Sequence, residues 1–222
     1  MKTCKNYRFD LESSDQILHE LLSKHYITTD IAREVSEKFN ARKVVLPKLI
    51  VMDVKNMLLT QNFRSFSIPH PESYQFLKSM HDQASIKGDD TRHGEMDLPS
   101  ALTLMLNKNS RNGLHTLSAT GFSIAHPRGW VSRLAEILPS LTSLTIPYCK
   151  LTTTDFTILC NEFQNLKTLD VSQTRLTNLS GIEKLQSLES LNLSGLFFDT
   201  EVDLECLFEL MKLRVLFIRS TP

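Results

Sequence analysis

The chain has 222 residues, a hydrophobic content of 41% and a formal net charge of zero. This hydrophobic content is enough for a sizeable core and argues against a wholly disordered chain. The balanced charge, with no long basic run, argues against a nucleic-acid-binding protein, because such proteins need a basic surface.

The first 62 residues carry the pattern of a helical segment. Apolar residues recur at helical spacing in Ile17–Leu22, and the pattern restarts after Thr28–Asp30. Pro47 suits the first turn of a third, mostly apolar helix. We therefore predict an N-terminal helical segment over residues 1–62.

The next segment begins with a repeat-like strand. Phe63, Phe66 and Ile68 have the spacing of a leucine-rich-repeat strand, with phenylalanines in place of leucines. Terminal repeats are expected to deviate in this way, so we interpret the strand as an atypical first repeat. A helix over residues 73–81 and an exposed polar loop over about 82–97 are predicted to follow.

A ladder of leucines then fills the rest of the chain. Five segments fit the pattern L-x-x-L-x-φ, where φ is apolar, and their lead leucines follow one another after 27, 25, 22 and 25 residues. We number repeat positions by the residues that follow the lead leucine, so that positions 0, 3 and 5 form the ladder. The ladder residues are Leu114/Leu117/Ala119, Leu141/Leu144/Ile146, Leu166/Leu169/Val171, Leu188/Leu191/Leu193 and Leu213/Leu216/Ile218. This period predicts leucine-rich repeats over residues 63–222, each with one short strand and a return segment.

The return segments differ in length. Apolar spacing predicts helices at 98–106, 130–138 and 156–163, and a longer helix at 204–210. The 22-residue unit that ends at Leu188 leaves room for one tight helical turn. The predicted fold class is α/β: a leucine-rich-repeat solenoid with a parallel concave sheet, preceded by an N-terminal helical cap.

The last repeat is expected to be truncated. The sequence stops four residues after Ile218, before a return segment. A repeat array normally needs a polar cap, because its last unit otherwise exposes an apolar surface. Either a partner covers this end or the chain is a fragment or short isoform of a longer protein, and we favour the second.

The strand side chains at positions 2, 4 and 6 are predicted to share the concave surface, because side chains alternate along a strand. Most of them are small and neutral. Interface anchors are typically Trp, Tyr and Arg, which selects Tyr148, Phe217 and Arg219 as candidate partner-binding residues. The alternative is a scaffold surface that merely tolerates small residues.

The sequence holds no catalytic motif of the kinds that depend on a serine elbow, a phosphate-binding loop or a zinc-binding helix. Asp89, Asp90, His93 and Glu95 could meet a metal, but a charge-rich loop is more often solvated. We therefore expect no enzyme activity, no cofactor and no metal site.

The compartment is inferred from the cysteines and the hydropathy. The four cysteines form no Cys-x-x-Cys pair, which favours a reducing environment. The N-terminus lacks the apolar region of a signal peptide, and no stretch of about 18 apolar residues could span a bilayer. We expect a cytoplasmic protein, with the nucleus as an alternative, and no membrane contact.

A helical segment of about sixty residues, followed by repeats such as Leu-Lys-Thr-Leu-Asp-Val-Ser and Leu-Glu-Ser-Leu-Asn-Leu-Ser-Gly, resembles the Zyg-eleven and Zer-one family. The resemblance implies a substrate-recognition subunit of a cullin-two RING ubiquitin ligase. The implied partners are the elongin B–elongin C adaptor, cullin-two and a protein substrate.

The resemblance also assigns residues to an adaptor-docking box. Leu18, Leu22 and Tyr26 would lie on one helical side, and the resemblance implies that they contact elongin C as a helix in a groove. Leu46, Pro47 and Leu49 resemble the second part of the box, and the resemblance implies that they support the cullin side. Position 22 is leucine where the family has cysteine, and the alternative is that this side packs on the next helix.

Two other classes stay open. One is a general intracellular leucine-rich-repeat scaffold without a ligase. The other is an F-box-type adaptor, because Leu-Pro before an apolar helix also occurs in that class.

Overall fold

The structure, a computed structural model, describes residues 43–45, 59, 62–68, 97–120, 126–198 and 204–219. The predicted helices of residues 1–62 and the predicted helix at 73–81 lie outside these ranges. The domain boundary at residue 63 stays a prediction. Among the described residues, no helix is long and apolar enough to cross a membrane.

The described residues contain seven strands in one parallel sheet, and chain order is also spatial order. The strands are β1 (Lys43–Val45), β2 (Ser65–Ile68), β3 (Thr116–Ala119), β4 (Ser143–Thr145), β5 (Thr168–Asp170), β6 (Ser190–Asn192) and β7 (Val215–Phe217). From β3 to β7, each strand pairs with the next at the same repeat position, as in Leu144 beside Leu169. This stacking of equivalent units confirms the predicted α/β leucine-rich-repeat solenoid.

The return segments are helical. The described α-helices are α1 (Leu98–Met105), α2 (Lys108–Gly113), α3 (Trp130–Ile137) and α4 (Thr153–Glu162), and 3-10 helices follow at Ile182–Lys184 and Leu204–Glu209. The single turn predicted in the 22-residue unit is confirmed. The segment at 204–210 is a six-residue 3-10 helix rather than the longer helix predicted, and α2 was not predicted.

The core lies between the sheet and the helices. In the four repeats led by Leu114, Leu141, Leu166 and Leu188, every ladder residue at positions 0, 3 and 5 is buried. Phe63, Phe66 and Ile68 are buried in the same way, which confirms the atypical first repeat. Strand residues alternate between buried and half-buried in β2 to β6, as expected for a sheet with one side on the core.

Strand β1 was not predicted. It pairs in parallel with β2, with Val44 beside Phe66, so the sheet begins before the first recognisable repeat. Three residues are too few to display a period of two. This short segment therefore left no alternation that would separate it from the surrounding helical pattern.

One ion pair joins two return segments. The Asp97 carboxylate is buried, although it ends the loop predicted to be exposed, and its Oδ1 accepts a hydrogen bond from Arg133 Nη2 at 2.8 Å. The Ser100 hydroxyl donates to the other carboxylate oxygen. This contact ties the start of α1 to α3.

Candidate protein-interaction surface

The candidate surface is the strand face, which we define as the side chains at positions 2, 4 and 6 of the repeats. These side chains lie on the side of the sheet away from the helices. Up to β6 most of them are half-buried and Pro147 and Ser172 are buried, whereas Val215, Phe217 and Arg219 of the last repeat are exposed. From β2 to β6 the surface is therefore built from short side chains that lie close to the backbone.

A chain of hydrogen bonds crosses the strand face from β5 to β7. Asp170 Oδ2 accepts from Asn192 Nδ2 at 3.0 Å, and Asp170 Oδ1 accepts from the Ser172 amide at 2.9 Å. Asn192 Oδ1 accepts from the Ser194 amide at 3.1 Å, and Ser194 Oγ accepts from the Arg219 amide at 3.2 Å. Both carboxylate oxygens of Asp170 are thus engaged within the protein.

A left-handed turn follows each of three strands at position 7. Tyr148, Gln173 and Gly195 have φ values of 62°, 56° and 69° there. Their amides donate to the position-6 carbonyls of the next repeat over 3.0, 2.8 and 2.8 Å, namely Ser172, Ser194 and Arg219. The turn therefore continues the inter-repeat hydrogen bonding beyond the strands, and this explains why it recurs.

The predicted anchors are all exposed but do not form one cluster. Tyr148 is 51% exposed on the turn after β4, and Phe217 is 45% exposed on β7, beside the exposed Arg219. Three strand spacings of roughly 4.8 Å separate β4 from β7, or about 14 Å. Tyr148 thus lies apart from Phe217 and Arg219, and their partner-binding role stays a prediction.

The residues at position 1 form a regular row of backbone hydrogen bonds between repeats, which was not predicted from the sequence. The carbonyl of each position-1 residue accepts two amides of the next repeat, at 2.8 to 3.1 Å, for Arg64, His115, Thr142, Lys167 and Glu189. The last three position-1 residues are charged, and their charges alternate in sign: Lys167, Glu189 and Arg214. Lys167 Nζ lies 3.7 Å from Glu189 Oε1, so neighbouring repeats pair opposite charges here.

The last strand leaves its ladder exposed. Leu216 and Ile218 are 41% and 38% exposed, whereas Leu191 and Leu193, their equivalents one repeat earlier, are at 0%. Phe208 and Met211, which precede β7, are each 83% exposed. The ladder residues of β7 are therefore exposed where their equivalents in β6 are buried, and the predicted truncation of the last repeat stays a prediction.

The buried thiols are not candidates for chemistry at this surface. Burial, with a smaller contribution from Asp155, raises the pKa of Cys149 from 9.0 to about 12. Burial, followed by the Glu183 charge, raises the pKa of Cys160 to about 12 as well. Both thiols are therefore neutral and act as small apolar side chains.

Several predicted residues lie outside the described residues. These are the adaptor-box residues Leu18, Leu22, Tyr26, Leu46, Pro47 and Leu49, and the loop residues Asp89, Asp90, His93 and Glu95. Among the residues that the structure does describe, no group of three or more His, Cys, Asp or Glu side chains could hold a metal ion.

Comparison with known proteins gives one curated relative. The chain is 31% identical over 218 residues to Gastrulation-defective protein 3 of Caenorhabditis elegans, an alignment that covers 95% of this chain. The similarity includes both halves of the chain. The same alignment covers 28% of that protein, so this chain spans little more than a quarter of its relative's length.

No model of a known protein family matches the chain. Among solved structures, an internalin from Listeria monocytogenes aligns with a TM-score of 0.45 at 18% identity, covering 81% of this chain and 47% of that one. The curated relative and the repeat architecture together support a protein-interaction repeat protein.

Proposed function

We propose that the chain belongs to the Zyg-eleven and Zer-one family and is the substrate-recognition subunit, or a truncated relative, of a cullin-two RING ubiquitin ligase. The observation that carries the proposal is the 31% identity to Gastrulation-defective protein 3 over 95% of the chain. An alignment of that extent includes the N-terminal segment, and it is consistent with this family.

In this proposal the chain supplies binding surfaces and no chemistry of its own. Leu18, Leu22 and Tyr26 contact elongin C from one side of a helix, because residues at i, i+4 and i+8 share a side. Leu46, Pro47 and Leu49 support the cullin side. The repeats then hold the protein substrate at a fixed distance from the adaptor, in the cytoplasm or the nucleus.

The regular sheet is well suited to that spacing role. Seven strands pair without a break across the described residues, and Asp170 and Asn192 are held by hydrogen bonds across the strand face. A surface whose polar groups are already bonded loses little conformational entropy on binding. Substrate binding then depends on exposed anchors such as Tyr148, Phe217 and Arg219.

The test is copurification of the full chain with coexpressed elongins B and C. The double variant Leu18→Asp, Leu22→Asp should lose the elongins, because a carboxylate cannot enter an apolar groove without a large desolvation cost. The variant His19→Asp is the matched control, since it adds charge to the same predicted helix outside the apolar stripe. It should retain the elongins.

Other outcomes distinguish the remaining classes. Capture of a Skp adaptor with cullin-one, instead of elongins with cullin-two, would move the chain to the F-box class. Copurification with neither adaptor, by a chain that unfolds cooperatively, would refute the ligase proposal and leave a general repeat scaffold.

A further inference from the structure

We propose that the turns after β4 and β5 bind an acidic segment of a partner protein, in which an apolar side chain lies next to a pair of carboxylates. The surface consists of the residues at positions 7 and 9 of these two repeats, and we call it the turn rim: Tyr148, Lys150, Gln173 and Arg175. A ligase subunit and a general scaffold would both need such a surface, so the proposal does not depend on the ligase function.

The turn rim lies in the interior of the repeat array. Strands β4 and β5 have β3 on one side and β6 on the other, so both repeats are covered by neighbouring repeats. All four rim residues are exposed nonetheless. Their exposure therefore comes from the turns themselves and not from the last repeat.

The stacking of the repeats brings the two cations of the rim side by side. The residues at positions 8 and 10, on either side of position 9, are buried in both repeats: Cys149, Leu151, Thr174 and Leu176. The Tyr148 amide donates to the Ser172 carbonyl, so the repeat register continues past the strands. Lys150 and Arg175 therefore occupy equivalent places on adjacent turns, about 5 Å apart, which is the spacing of neighbouring strands.

Neither cation is neutralised within the described part of the chain. The ion pairs found there join Arg133 to Asp97 and Lys167 to Glu189. Lys150 and Arg175 take part in neither pair. Two like charges on adjacent turns are thus left without a counter-charge.

The carboxylates closest in sequence are already engaged by the fold. Asp155, five residues after Lys150, accepts hydrogen bonds from the Thr152 hydroxyl and amide at the start of α4. Both carboxylate oxygens of Asp170, five residues before Arg175, also accept hydrogen bonds within the protein. A carboxylate for the two cations must therefore come from elsewhere.

Tyr148 supplies an aromatic side chain beside the cations, and it is 51% exposed. Its equivalent in the next repeat, Gln173, lies so close over Gly195 that a Cβ on the glycine would clash with the Gln173 side-chain amide. Gly195 is on the side of Gln173 away from β4, so Gln173 leaves the tyrosine ring uncovered. Tyr and Arg are enriched at interface hot spots.

These side chains define the chemistry of the partner. Lys and Arg form charge-assisted hydrogen bonds with carboxylates, and an aromatic ring offers contact area to an apolar side chain. A nucleic-acid strand would need a longer basic track, but position 9 of the next repeat is the uncharged Phe197. Asp170 on the strand face would also repel a phosphate backbone. An acidic protein segment therefore fits the turn rim best.

The experiment selects peptides that need the turn rim. Random peptides of about twelve residues, a length that can cross both turns, are displayed on phage and panned against the full chain. Phage that bind the variant Lys150→Glu, Arg175→Glu are removed first. The retained peptides should carry adjacent acidic and apolar residues, and added salt should weaken their binding because exposed charges are screened.

Fluorescence anisotropy of the labelled peptides then measures Kd for each variant. Lys150→Glu with Arg175→Glu should weaken binding by at least about tenfold, because attraction becomes repulsion. The matched control is Lys108→Glu with Lys184→Glu, which changes the net charge equally at two exposed cations of the return segments. It should leave Kd within about twofold of the native value.

Tyr148→Asn tests the aromatic contact separately. Asparagine adopts a positive φ more readily than most residues with a side chain, so this variant removes the ring and keeps the turn. Binding should weaken about fivefold, whereas urea titration should show the cooperative unfolding of the native chain.

Three results would overturn the proposal. The first is retention of no peptide above the phage background, or of peptides without acidic residues. The second is an equal effect of the control variant and of Lys150→Glu with Arg175→Glu. The third is a single-stranded oligonucleotide that binds the turn rim more tightly than the peptides, which would assign this surface to nucleic acid.

Discussion

Gly195 holds a backbone conformation that glycine adopts at no steric cost, whereas Tyr148 and Gln173 hold the same conformation with a side chain attached. An L-residue in this left-handed region costs roughly 1–2 kcal/mol. All three amides donate to the next repeat. The inter-repeat hydrogen bonds therefore outweigh the local cost wherever glycine is absent.

This comparison predicts the effect of Gly195→Ala. A Cβ at Gly195 would lie 2.0 Å from Gln173 Nε2, but that amide is the far end of a flexible side chain and can move. The remaining cost comes from the positive φ and should reduce the free energy of unfolding by about 1 kcal/mol, measured by urea titration. The control is Gly113→Ala, where a Cβ meets nothing within 4 Å. A neutral Gly195→Ala would contradict the argument.

The buried thiols predict a pH dependence of stability. Their pKa values lie at about 12 in the folded protein and 9.0 ordinarily. Above pH 9 the unfolded chain therefore loses protons that the folded protein keeps, and stability falls as pH rises toward 12. The fall is on the order of 1 kcal/mol per thiol for each pH unit in that window.

Urea titrations at pH 8 and pH 10 measure this difference. The native chain should lose more stability between these pH values than the variant Cys149→Ala, Cys160→Ala. Because the two proteins differ only at these two cysteines, the difference in slope between them reports the thiols. Equal slopes would show that the thiols are accessible to ionisation in the folded state.

At the scale of elements, the Asp97–Arg133 ion pair joins α1 to α3. Its carboxylate is nearly covered, whereas the Arg133 side chain is 44% exposed. Removing Arg133 leaves a buried carboxylate with the Ser100 hydroxyl as its side-chain donor. The resulting loss of stability should be smaller than for a fully buried ion pair, because water can reach part of the site.

We therefore expect Arg133→Met to reduce the free energy of unfolding by about 1–2 kcal/mol, as measured by urea titration. Adding Asp97→Asn should restore part of the loss, since the uncompensated charge is then gone. Arg128→Met, an exposed position on the turn before α3, should be nearly neutral. A double variant less stable than Arg133→Met alone would refute this account.

The repeats could be predicted from the sequence because apolar residues at positions 0, 3 and 5 recur five times in register. Helices α1, α3 and α4 could also be predicted, because each has apolar residues at helical spacing that are buried in the structure. Short elements such as β1 and α2 escaped prediction because three to six residues carry too little periodicity. At 204–210 the spacing predicts helix but does not separate a 3-10 helix from an α-helix.

The interaction surface was less predictable than the fold. Tyr148, Phe217 and Arg219 were selected by residue type, and the structure finds all three exposed. The position-1 charge row was missed because Lys167, Glu189 and Arg214 lie more than twenty residues apart in the sequence. Only the register of the strands brings them side by side.

At the scale of the whole molecule, contacts are made between neighbouring repeats. Stability in such an array is roughly a sum of units and their interfaces, so a repeat covered on one side is the least stable. Leu169 and Leu216 occupy the same position, but Leu169 is covered on both sides at 0% exposure and Leu216 is 41% exposed.

This difference predicts unequal costs for the same substitution. Leu169→Ala should reduce the free energy of unfolding by about 2–5 kcal/mol and Leu216→Ala by less than about 1 kcal/mol. Both are measured by urea titration of the full chain. Comparable losses would indicate that the outer edge of β7 is covered in solution.

Pro147 occupies position 6, as do Ser172 and Ser194, whose carbonyls accept inter-repeat hydrogen bonds from the amides of Tyr148 and Gln173. Ser172 and Ser194 donate their own amides to the acidic or amide side chain two residues earlier, Asp170 and Asn192. Proline has no amide to satisfy, and the residue two places before Pro147 is accordingly a threonine. In the repeats of β5 and β6, positions 4 and 6 therefore depend on each other: an apolar residue in place of Asp170 or Asn192 leaves the serine amide two residues later without its acceptor, unless that serine is also exchanged for proline.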